Sequence, residues 1–101
     1  MAQTVLDVFR ACTPIFHALG DSARQDIILL LAEHEALTVT EIAEQSHLSR
    51  PAISHHLKVL RDNKLVTIEQ KGTQRYYSLA LDESVSLLKS LIHKIETTCD
   101  L

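Results

Sequence analysis

Apolar residues in this chain follow a helical spacing for most of its length and a strand spacing in one stretch. Val5, Val8, Phe9, Cys12, Ile15, Phe16 and Leu19 recur every three or four positions, which predicts an amphipathic helix over 4–19 with a wide apolar face. Pro14 interrupts it. Either the helix kinks there, or it restarts with Thr13 as cap and Pro14 in first position. Asp21 is placed to cap a second helix through IILLLAEHE. That run is apolar nearly all round, so this helix is expected at the centre of the fold.

Thr38-Val39-Thr40-Glu41 has the form of a capping box: a hydroxyl for a first-turn amide and a carboxylate reaching back. It predicts a short helix with Ile42 and Ala43 turned inward. Gln45 to Leu48 make a turn, and Ser49 caps the next helix, where Pro51 lacks only an amide that would be unpaired anyway. Two short helices around a turn of about four residues form a helix-turn-helix. After Asn63 the spacing alternates through Val66, Thr67, Ile68 and Glu69. Lys71-Gly72-Thr73 then turns the chain into a return strand ending at Leu79. Asp82 is expected to cap a last helix bearing Val85, Leu87, Leu88, Leu91, Ile92 and Ile95.

The expected organisation is one domain over residues 1–101, mainly α with a small β-hairpin. It comprises a helix-turn-helix at 38–63, a wing at 65–79 and outer helices at 4–19 and 82–98. Both outer helices carry more apolar surface than one small domain needs. The last has two overlapping stripes, 85/88/92/95 and 87/91. A two-fold dimer through the first and last helices would cover both. The alternative is that they sandwich the body of a single domain.

Composition agrees with a globular chain: 101 residues, 46% hydrophobic, 23% charged. The longest apolar run, Ile27 to Ala32, is too short to span a bilayer, and the first residues do not read as a secretory signal. The two cysteines form no CxxC motif. These features imply a cytoplasmic protein without a membrane partner.

Net charge is −3, which alone argues against nucleic acid, but the charge is segregated. Residues 50–75 hold a balance of +4 and the remainder −7. One basic quarter on an acidic body presents a single face to phosphates.

That quarter contains SRPAISHHLKVLRDNKL, whose adjacent histidines invite a metal reading. Helical phase separates them. His56 falls among Ala52, Ile53, Leu57, Val59 and Leu60, whereas His55 falls with Arg50, Pro51, Ser54, Lys58 and Arg61. Histidines that share a metal on one helix stand three or four apart. His56 is expected to make at most a hydrogen bond that seats this helix. On the polar face, Arg50 can pair with guanine, Ser54 and His55 can reach bases or phosphates, and Lys58 and Arg61 suit phosphates. Ser49 at the helix start and the hairpin's Lys71 and Arg75 extend the same surface.

LTVTEIAEQSHLSRPAISHHLKVLRDNKLVTIEQKGTQRYYSL resembles the winged helix-turn-helix core of the ArsR/SmtB family of bacterial repressors. LGDSARQDIILLLAEHE is similar to the segment that precedes it, so the likeness covers roughly 16–79. The resemblance implies a homodimeric repressor that binds a pseudo-palindromic double-stranded operator and leaves it on a signal. Arg50, Pro51, Ser54 and His55 match the family's base-contacting positions. One departure is the turn, where Ser46 and His47 stand without a glycine.

Family members often sense metals. The cysteine site of the motif's first helix is absent, since that segment reads TVTEIAEQ. A site on the last helices of two chains retains Asp82, His93 and Glu96, but has Ser84 where the family pattern needs histidine. Cys99 and Cys12 offer a thiol route, with Cys12 spaced for packing and Cys99 the better candidate. No cofactor is required by this reading. A winged-helix module that binds protein rather than DNA is the alternative. No nucleophile–base pair, phosphate loop or catalytic metal motif supports an enzyme.

Overall fold

The computed structural model describes residues 4–98. Its elements are α1 (Val5–Leu19), α2 (Ser22–Glu33), α3 (Val39–Glu44), α4 (Arg50–Asp62), β1 (Val66–Lys71), β2 (Gln74–Leu79) and α5 (Asp82–Thr98).

Side-chain oxygens start four of the five helices. Thr4 with Asp7, and Thr38 with Glu41, form reciprocal capping boxes, while Asp21 accepts from the Arg24 amide and Ser49 from the Ala52 amide. The fifth departs from expectation. Asp82 is the first helical residue of α5, not its cap, and Val85 N–H bonds back to Leu81 carbonyl. An acid in the first turn still complements the helix dipole. Pro14 also resolves differently from a restart: α1 runs unbroken through it, and Thr13, instead of capping, donates its hydroxyl to Phe9 carbonyl. Packing along α5 outweighs the single amide that proline removes.

Two apolar clusters divide the molecule. The larger joins Ile27 and Leu31 of α2, Ile42 of α3, Ile53, Leu57 and Leu60 of α4, and Leu65 and Val66. Helix α2 is central but not enclosed, since Leu29 remains 62% exposed. The smaller cluster holds α1 against α5 through Val8, Cys12 and Leu91, flanked by Leu87, Leu88 and Ile95. Because this second layer extends beyond the body, the molecule measures 50 × 26 × 21 Å. Its radius of gyration of 15.9 Å exceeds the ~13 Å usual for about 100 residues.

The antiparallel hairpin pairs Val66 with Leu79 through Lys71 with Gln74. Gly72 has φ +63° and Thr73 no positive φ, the dihedral signs of a type II′ turn. Leu37 and Tyr77 exchange amide hydrogen bonds of 3.0 and 2.8 Å, so the wing is tied to the link ahead of α3. Positive φ outside glycine occurs, among the described residues, only at Lys64. The turn between α3 and α4 therefore needs no glycine. Ser46 braces it by accepting from the Leu48 amide.

Candidate nucleic-acid interface

Helix α4 separates its residues as the 3.6-residue period dictates. Ile53, Leu57 and Leu60 are fully buried against α2 and α3, and this fixes the opposite face outward. Arg50, Pro51, Ser54, His55, Lys58 and Arg61 are all exposed on it. Ser49 stands at the same end, but its hydroxyl is occupied in capping, 3.3 Å from the Ala52 amide.

His55 is exposed and His56 half-buried, their rings tilted by 56°. The pair is not a site for one metal. His56 Nδ1 instead lies 3.3 Å from Arg24 Nη1.

Arg24 was not singled out by the sequence pattern, yet it organises the back of α4. It is 8% exposed. Its Nε donates to Ala18 carbonyl at 2.7 Å and its Nη2 to His17 carbonyl at 3.1 Å, the free end of α1. One guanidinium thus joins three helices and satisfies acceptors that would otherwise be orphaned. The signal in the sequence was a lone cation in the first turn of the helix that carries the central apolar run. Asp21 stands 4.0 Å from the same guanidinium. Its carboxyl lies below the usual range, chiefly because the Arg24 amide bonds it, against a smaller opposing effect of burial.

The two wing cations separate. Arg75 joins Ser54, Lys58 and Arg61 around a notch of about 200 Å³ floored by Leu57, Ile68 and Tyr77. Lys71, one pair nearer the hairpin end, lies 5.5 Å from the Tyr76 ring centroid in a cation–π contact. Lys58 and Asp62 are 3.8 Å apart, both largely exposed. Such an exposed pair contributes little to stability.

The metal candidates stay apart in one chain. Asp82 and His93 stand eleven residues apart on α5, about 16 Å along the axis. Among the described residues no three His, Cys, Asp or Glu side chains are grouped to hold a metal. Cys12 is fully buried, its Sγ 3.9 Å from Leu87 carbonyl, and burial pushes its thiol pKa up. A thiol so placed is a poor nucleophile. Cys99 lies outside the described residues. No described helix is long and apolar enough to cross a membrane.

The family described as "Bacterial regulatory protein, arsR family" matches residues 21–67, from α2 into β1. The transcriptional repressor SdpR of Bacillus subtilis is 35% identical over 83 residues, covering 79% of this chain and 91% of SdpR. An arsenical resistance operon repressor of the same organism is 34% identical over 88 residues, covering 87% and 84%. Among solved structures, an ArsR-like transcriptional regulator from Rhodococcus sp. RHA1 superposes with TM-score 0.83 at 23% identity, over 94% of this chain and 85% of that one. That likeness speaks for the fold; the two sequence relatives speak for descent. With its winged helix-turn-helix and exposed basic helix, the chain belongs to the arsR family, whose members are DNA-binding regulators of transcription and not enzymes.

Proposed function

We propose that this protein is a homodimeric, sequence-specific repressor acting in the cytoplasm without a required cofactor. The observation that carries the reading is the surface formed by Arg50, Ser54, His55, Lys58 and Arg61 on α4, continued by Arg75 across the notch. Arg50, Pro51, Ser54 and His55 face base edges, while Lys58, Arg61 and the wing's Arg75 and Lys71 hold phosphates. Ser49 fixes where the reading helix begins. Two copies pack through α1 and α5, where Leu6, Phe9, Phe16, Val85 and Ile92 are at least 39% exposed. Two α4 helices then enter successive major grooves of a pseudo-palindromic operator about 34 Å apart. A thiol or metal signal for release would act through Cys99, or through Asp82 of one copy with His93 and Glu96 of the other.

Titration against DNA from upstream of its own gene, across a salt series, tests this reading. Lys58→Ala should weaken operator and random DNA alike and reduce the salt slope by about one. Arg50→Ala should chiefly erode the preference for operator, by about 1–3 kcal/mol. Equal loss on both DNAs for Arg50→Ala would remove the base-reading role. Absence of salt-dependent retention would turn the reading toward a protein-binding module.

A further inference from the structure

A second concavity lies away from the basic face, where the reading helix ends against the outer layer. It encloses about 340 Å³, within the range of small-molecule sites. Its apolar wall is Pro14 and Ile15 of α1 with Leu87 of α5; Asn63 and Lys64, just past α4, close the other side. Ser84 also lines it. That residue is 7% exposed, and among the described residues no buried side-chain oxygen or nitrogen lacks a hydrogen-bond partner. Buried polar groups are normally satisfied. The Ser84 hydroxyl adds a polar group to an otherwise apolar wall.

The surrounding charge selects the occupant. Asp62, which also lies 3.8 Å from the Lys58 ammonium, and Glu83 oppose the ammonium of Lys64 in the lining. The carbonyl end of α4 adds negative potential, while Asp82 and Glu83 offset the positive start of α5. The geometry points to a binding site for a small amphipathic amine, its apolar body on Pro14, Ile15 and Leu87 and its ammonium among Ser84, Glu83 and Asp62.

The site has a route to the DNA face. One wall is the C-terminal end of the reading helix and the other two are α1 and α5. At about 100° per residue, Ala11 and Pro14 lie on the flank of α1 opposite Leu6, Phe9 and Phe16, and Glu83 lies on the flank of α5 opposite Val85 and Ile92. The cavity therefore stays open when the exposed apolar edges are covered. An occupant sets the spacing between α4 and the outer layer and so biases how two reading helices are presented. This last step rests on the DNA-binding reading; the site itself does not.

Amide chemical-shift mapping of the full chain with phenethylamine tests the site, with phenylacetate as the anionic control. Saturable shifts at Ile15, Asn63, Ser84 and Leu87 with the amine alone are expected. Glu83→Gln should raise the half-saturation concentration about threefold, as for one exposed charge pair. Ala11→Leu, at an exposed position on the rim, should raise it about tenfold by occupying the apolar wall. No saturation, an equal response to phenylacetate, or indifference to both variants would overturn the site. Retention on random duplex DNA, with and without the amine, tests the coupling. A change in wild type that Ala11→Leu abolishes supports it. Saturable binding with unchanged retention overturns the switch, and no retention in any state counts against the DNA reading instead.

Discussion

Arg24 Nη1 meets His56 Nδ1 at 3.3 Å, and this contact seats the reading helix on the end of α1. A guanidinium only donates, so in this contact Nδ1 is the acceptor. The half-buried histidine holds the helix from behind while its exposed neighbour faces outward. Arg24→Ala leaves Ala18 and His17 carbonyls without their donors and should cost about 3 kcal/mol. His56→Ala should cost about 1 kcal/mol, and the double mutant should show a coupling of about 0.5–1.5 kcal/mol. Urea denaturation at one fixed protein concentration measures all three, and zero coupling would mean the contact has no energetic role.

Asp21 gives stability a dependence on acid. Its folded pKa is depressed, so its contribution is complete above the unfolded value of about 3.9 and is lost as pH falls through the folded value. Asparagine caps a helix about as well as aspartate, so Asp21→Asn removes the charge and keeps the cap. The stability difference between wild type and Asp21→Asn should be constant well above the unfolded value of about 3.9 and should shrink as pH falls through the lowered folded value. A difference independent of pH would show that the carboxylate acts only as a cap.

Lys64 closes α4 in the left-handed region at φ 61°. Its amide bonds Arg61 carbonyl at 2.9 Å and the Leu65 amide bonds Leu60 carbonyl at 2.9 Å, the paired bonds of a Schellman motif. Only glycine adopts this conformation without steric cost. Lys64→Gly should raise stability by about 0.5–1 kcal/mol, read as a higher urea midpoint with unchanged slope.

Ile92 is 56% exposed on α5, whereas Leu91 beside it is 4% exposed in the α1–α5 cluster. Ile92→Glu should leave the single chain folded and shift sedimentation equilibrium from dimer to monomer, weakening DNA binding with it. Leu91→Ala should instead lower stability by about 2–4 kcal/mol. A dimer that survives Ile92→Glu would place the interface elsewhere.

Much of this molecule was legible in its sequence because local rules govern it. The capping residues Asp21, Thr38 and Ser49, the glycine turn at Gly72 and the helical phase that parts His55 from His56 all act within a few residues. They determined where three helices and the hairpin begin and which face of α4 is polar. Local rules failed where packing competed with them. Pro14 alone argues for a break, yet the α1–α5 cluster carries the helix through it. Asp82 has the chemistry of a cap, but the chain turns one residue earlier, with Leu81 carbonyl accepting from Val85. Only the tertiary structure could bring Arg24 to His56 across thirty-two positions, or Arg75 rather than Lys71 beside Lys58. The same holds for the cavity faced by Ser84, whose walls come from the end of α4, the middle of α1 and the start of α5. Spacing along a chain records which face a side chain takes; it cannot record which distant face it will meet.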